Sequence, residues 1–360
     1  MFRKQLIDAC DETAAVVLSS PNAPDRSRTQ RRGRKAVLAA AVGACALLGP
    51  LLLAPSALAD PPCGSGCSHD SSSTASKQVS GSNNSVRVSA HDDSTAFARV
   101  TGKGNNSTTT ANHDSGAPLG GAYTYIKGDH NKVITKANDG SFAANGVTGD
   151  HNKVIAKANH GSLAANGVTG DHNTAVAKAN NLSGAVNSIT GNRNTVIAKA
   201  NDLSTAINNV KGDHNTAVAK ANDLSTASNS VKGDHNTVIA KANDHSTASN
   251  SVVGDHASAI AIANNGGNAT NTVSGNHSTA TSFADGAGSV ATSTAVNGGE
   301  ANTIALDQGK ATATATGPRQ TATALAIGSG ETATATATAT SGTANCGTGT
   351  GGVAFAATTK

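Results

Sequence analysis

From Gly128 to about Gly275 apolar or small residues alternate with polar ones, and the alternation restarts with a 21-residue period. The cleanest stretch is GDHNTAVAKANDLSTASNSVK followed by GDHNTVIAKANDHSTASNSVV, from Gly212 to Val253. Glycine returns at Gly128, Gly149, Gly170, Gly191, Gly212, Gly233, Gly254 and Gly275 without a slip. Alternation is the period of a strand, and a fixed period of this length belongs to stacked repeats. In the unit starting at Gly191, Asn194, Val196, Ala198 and Ala200 face one way and Thr195, Ile197 and Lys199 the other. Asn201-Asp202-Leu203 turns the chain, Ser204, Ala206, Asn208 and Val210 resume the alternation, and Lys211-Gly212-Asp213-His214 turns it again. Each unit is predicted to be two short strands and two turns. A helix competes poorly, because every copy carries β-branched residues, Asn and Gly.

A single unit cannot bury its inner face, so copies stack at about 4.8 Å per coil. The prediction is an all-β fold, a β-solenoid of 21-residue two-strand coils. Its apolar inner ladders are Val133, Val154, Ala175, Val196, Ala217 and Val238, and Val147, Val168, Ile189, Val210, Val231 and Val252. Its polar inner ladders are Asn131 through Asn236, Asn145 through Asn250, and Ser141 through Ser246, all at the same interval. A buried amide costs free energy unless bonded, and identical amides in a stack bond one another.

These residues carry a resemblance to the bacterial curlin repeat, the building block of curli amyloid fibres. That repeat has Ser, five residues, Gln, one residue, Gly, two residues, Asn, one residue, Ala, three residues, Gln. The chain matches it at Ser162, Gly170, Asn173 and Ala175, and again at Ser204, Gly212, Asn215 and Ala217. It departs at both Gln positions, where Val168 and Ala179, or Val210 and Ala221, stand. The resemblance covers roughly residues 81 to 296 and implies a curlin-like coil and end-to-end assembly into fibres.

The flanking regions divide the chain further. Residues 1–59 read as an N-terminal extension and signal peptide: a basic run Arg31 to Lys35, an apolar run Ala36 to Leu53, and Ala57-Leu58-Ala59 before Asp60. The membrane enters only through this segment, if it stays uncleaved. Residues 60–80, rich in Pro, Gly and Ser, read as a flexible linker, and 81–296 as the solenoid. Gly102 and Gly128 are 26 apart, so one coil carries an extra loop near Pro118 to Gly121, with Tyr123 and Tyr125 in it or beside it. Their rings either make a contact or shield the end of the core. Residues 297–346 read as degenerate Ala/Thr/Gly coils, with Gly288, Gly309, Gly330 and Gly351 keeping the period in a shifted phase, and 347–360 as a tail or end cap. This part resembles, by composition, the head repeats of trimeric autotransporter adhesins.

Composition then narrows the function. Two Tyr, no Trp and few Phe leave a thin interior filled by Ala and Val. The net charge of +4 belongs to residues 1–59, leaving 19 charges of each sign in the mature part and no electrostatic footprint for nucleic acid. Cys63 and Cys67 are spaced to close a small loop, and the alternative pairs Cys346 with one of them. No nucleophile, base and acid recur except as the repeat recurs. The chain is therefore read as no enzyme, with no catalytic, cofactor-binding or metal site and no cofactor. The recurring Asp-His turns, His130, His151, His172, His214, His235 and His256 with Arg193 between, serve the turn. Protonating such a column is expected to loosen the stack. Lys136, Lys157, Lys178, Lys199, Lys220 and Lys241 form an outward basic column, which either discourages sideways strand addition or meets an anionic cell-wall polymer or polysaccharide. Thr312, Thr314, Thr316 and Thr332 to Thr340 suggest a Thr face for ice or carbohydrate, but no long Thr-x-Thr column is expected in the central coils. The function expected is an exported structural or adhesive protein, secreted or on the cell surface, self-associating through its solenoid ends. The alternative is a monomeric secreted binding module for cell-wall polymer, carbohydrate or ice.

Overall fold

The computed structural model of this 360-residue chain describes residues 66–70, 72–112, 121–338, 342–348 and 355–359. None of these is helical. The leader read at 1–59, Cys63 and most of the extra loop lie outside the described residues. The chain divides into two compact units, Met1–Ile207 and Asn208–Lys360, and each is a parallel β-solenoid with two sheets, A and B.

In the first unit the chain visits the sheets alternately. Sheet A takes Cys67–His69, Ser85–His91, Asn106–Asn112, Lys132–Asn138, Lys153–Ile155, Thr174–Val176 and Thr195–Val196. Sheet B takes Thr74–Ser80, Thr95–Thr101, Gly121–Lys127, Phe142–Thr148, Leu163–Thr169 and Gly184–Thr190. The strand Thr205–Lys211 contains the boundary between the units. Pairing is in register: Phe142 opposes Leu163 and Leu163 opposes Gly184, each one full period along the chain. The stack begins inside the segment read as a linker, since Cys67–His69 and Thr74–Ser80 pair with Ser85–His91 and Thr95–Thr101. Alternation there is masked by Lys77 and Gln78, so composition reads as tether while the backbone still pairs.

The predicted ladders form the interior. Val133, Val154, Ala175 and Val196 are buried in the first unit, as are Val147, Val168 and Ile189. Asn145, Asn166 and Asn187 are buried with them, and each amide donates to the one before: Asn166 Nδ2 to Asn145 Oδ1 and Asn187 Nδ2 to Asn166 Oδ1, both at 2.8 Å. The second unit repeats this with Asn229, Asn250 and Asn271, which donate in turn to Asn208, Asn229 and Asn250 at 2.9, 3.0 and 2.9 Å. The Asn131 column is wired differently. Asn152 N donates to Asn131 Oδ1 (2.9 Å) and its Nδ2 donates to Gly170 O (2.8 Å), so this one residue ties three coils together across the turn.

Two features depart from strict alternation. In the central coils the sheet A strand is only two to four residues long, and the chain leaves it before the last inward alanine. Ala200, Ala221 and Ala242 sit at φ +83°, +106° and +90°, a kink that a reading based on alternation alone does not contain. Toward the C-terminus the second unit gives up its fixed period. In sheet B, Asn268 opposes Val290, Val290 opposes Lys310, and Lys310 opposes Thr332. The partner thus falls one position beyond the fixed period, then one short of it, then one beyond it again. Sheet A keeps the period from Thr279 to Glu300 and from Glu300 to Thr321. The change is therefore absorbed by turns and not by the sheets. The tail read at 347–360 contributes the strand Phe355–Thr359, which runs antiparallel to Gly342–Thr348.

Candidate binding surfaces

The Gly-Asp-His-Asn turn sets what the surface carries. Gly149 has φ +124°, and a Cβ there would stand 2.2 Å from Gly170 O, so both conformation and contact exclude any side chain. The aspartate that follows is used by the fold: Asp129 N donates to Asp150 Oδ1 (2.6 Å) and Asp150 N to Asp171 Oδ1 (2.7 Å). The histidine occupies the left-handed region, His130 at φ +53°, His151 at +58° and His172 at +59°. Its ring is thereby turned out of the core. The rings stack, with centroids 5.0 and 4.9 Å apart in the first unit and 4.8, 4.9 and 5.1 Å from His214 through His235 and His256 to His277 in the second. Charging neighbouring rings would set like charges about 5 Å apart. Among the described residues no group of three or more His, Cys, Asp or Glu is arranged to hold a metal ion.

The outer face of sheet A in the first unit carries three parallel columns. Lys132, Lys153, Thr174 and Thr195 form one, and Ile134, Ile155, Val176 and Ile197 the next. Two residues further on come Lys136, Lys157, Lys178 and Lys199, exposed or half-buried. In the second unit Lys220 and Lys241 follow Val218 and Ile239 in the same way. None of these six lysines of the predicted column has a carboxylate at ion-pair distance among the described residues.

Sheet B differs between the units. In the first, Tyr123 and Tyr125 lie on the strand Gly121–Lys127 and point outward, so they flank the extra loop without shielding the end of the core. Tyr123 stacks on Phe142 with centroids 5.4 Å apart, and together with Leu163 they cover Ala144 and Ala165. In the second unit, the uneven intervals bring threonines together that a fixed period keeps apart. Thr270, Thr292, Thr312 and Thr334 form one column, and Thr272, Thr294, Thr314 and Thr336 a second. These columns lie beyond the central coils, for which no long Thr-x-Thr column is expected: one fixed period on from Thr270 stands the inward Ala291, whereas the observed pairing reaches Thr292.

Cys67 is disulfide-bonded and Cys346 carries a free thiol, which excludes a bridge between these two. A shallow depression of about 280 Å³ beside Cys67 has Arg87 as the only charged lining residue among the described residues. At the first coil, Asp70 accepts hydrogen bonds from the Ser73 hydroxyl and from the Asp92 amide (2.6 Å), which hold its carboxyl well below the ordinary range. Compared with protein-family models, curated proteins and solved structures, the chain finds no match.

Proposed function

We propose that this chain is an exported structural or adhesive protein, secreted or at the cell surface, that works through columns of repeated side chains. The observation that carries this reading is the lysine column Lys136, Lys157, Lys178 and Lys199 beside the aliphatic column Ile134 to Ile197. Lysines one coil apart stand about 4.8 Å from one another at the backbone. Their mutual repulsion meets no internal counter-charge among the described residues and is relieved by a ligand that carries negative charge along its length. The partner that fits is an anionic cell-wall polymer or polysaccharide. Each contact is weak because it is solvent-exposed, but several on one rigid face add by effective concentration.

The test is titration of the full chain with an anionic polymer, polyglycerol phosphate or polygalacturonate, at two salt concentrations. Replacing Lys136, Lys157, Lys178 and Lys199 together by Gln is expected to weaken binding about tenfold or more, because avidity multiplies the loss. Raising salt to about 1 M, where the screening length is about 3 Å, is expected to do the same. Binding that ignores both changes would overturn the polymer reading.

Self-association through the coil ends is the second reading, and the in-register pairing of identical positions favours it. Each coil offers the next one the strand edges and side chains that it received, so an open end is a template for another chain.

A further inference from the structure

We infer that the outer face of sheet B in the second unit is an ice-binding surface, formed by the paired threonine columns Thr270, Thr292, Thr312, Thr334 and Thr272, Thr294, Thr314, Thr336. All eight side chains are exposed or half-exposed, on strands whose intervening positions are buried small residues such as Ala291, Ala311, Ala313 and Ala333. Along each strand the two threonines are about 6.7 Å apart, and between strands about 4.8 Å. The array therefore repeats in two directions, at spacings close to those between oxygens on the faces of hexagonal ice.

Three properties fit a crystalline water surface over other partners. In-register stacking favours a sheet flatter than an ordinary twisted one, which suits hydroxyls arrayed in one plane. Threonine is β-branched and stiff at χ1, and its ordering on binding costs little entropy. The array itself is uncharged, and the bordering columns, Asn268, Val290, Lys310 and Thr332 on one side and Ser274, Val296 and Thr316 on the other, contain a single charge. Among the described residues a polyanion has nothing to pair with here beyond Lys310, and a sugar ring finds no aromatic face. Each threonine offers a methyl group and a hydroxyl that both donates and accepts, the combination that suits ordered water.

The experiment is thermal hysteresis of the full chain by nanolitre osmometry, with crystal habit recorded. The unaltered protein is expected to show a gap between melting and freezing that grows with concentration, and faceted crystals. Thr294→Tyr and Thr312→Tyr each place a ring in the middle of the plane, and tyrosine is a good strand former, so circular dichroism should stay unchanged while the gap falls to the buffer value. Thr237→Tyr, the same change at an exposed threonine on sheet A, is expected to keep the gap. No gap in the unaltered protein, or the same gap in both array variants, overturns the inference. So does binding to microcrystalline polysaccharide without any gap. The lysine variants leave this face intact, so its failure and that of the polymer reading are separable.

Discussion

At the scale of single residues, the fold depends on side chains whose polar atoms find partners one coil away. Asn166 is the clearest case, because its amide donates to Asn145 Oδ1 and to Ile155 O while its own Oδ1 accepts from Asn187. Replacing it by alanine leaves the Asn145 oxygen without its donor from above and the Asn187 amide short of an acceptor, both fully buried. Each orphan costs about 1 to 3 kcal/mol, so Asn166→Ala is expected to lower stability by about 2 to 4 kcal/mol in urea denaturation. Ser188→Ala, at a half-buried outward position one coil on, is expected to change it by less than about 0.5 kcal/mol. Equal effects would mean that the amide ladder adds no net stability. These inner positions were legible in the sequence because a buried amide, valine or serine repeats at one interval in coils of one length. What was not legible is the wiring: nothing in the spacing distinguishes Asn145, which bonds along its own column, from Asn152, which bonds a glycine carbonyl across the turn.

At the scale of the coil, legibility depends on whether turns keep their length. Sheet strands pair in register whatever joins them, so a turn longer by one residue moves every outward side chain by one position in the sequence and by none in space. That is why a fixed-period reading singles out Thr312, Thr314 and the run from Thr332 without aligning them with Thr270 and Thr292, while it does align the lysine column, whose coils keep a constant length. The first coil shows a second limit, since its pairing rests on turn chemistry and hardly on apolar positions. Asp70 holds Asp92 by its amide, and Ser72 Oγ accepts from Asp93. The Asp70 carboxyl is more acidic folded than unfolded, so the charge contributes stability above the ordinary carboxylate value of about 4, and this is lost as pH falls toward the folded value. The expected outcome is loss of amide protection at Asp92 and Asp93 in acid below about pH 4, ahead of interior amides such as Asn152. Asp70→Ala should reproduce that pattern at neutral pH. Protection that persists in the variant would assign the order of this coil to backbone pairing alone.

At the scale of the whole chain, the two sheets of the second unit end differently, and this bears on assembly. Sheet B ends on Thr332–Ala337, with no further strand paired to it among the described residues. Sheet A ends on Gly342–Thr348, and its edge is taken by Phe355–Thr359 with Thr343 opposite Thr359 and Gly347 opposite Phe355. The reversal matters, since a parallel stack continues only by adding another parallel strand, and an antiparallel one satisfies the same backbone groups while breaking the repeat that an incoming coil would match. The strand at 355–359 thus occupies the site that end-to-end growth requires. Removing residues 349–360 is expected to leave the sheet A edge open and to convert slow or absent association into seeded, concentration-dependent assembly, followed by light scattering and thioflavin fluorescence. The full chain should lag under the same conditions. If the shortened chain stays monomeric while keeping its circular dichroism, open edges in this solenoid do not recruit other chains, and self-association through the ends is set aside in favour of single molecules acting through their side-chain columns.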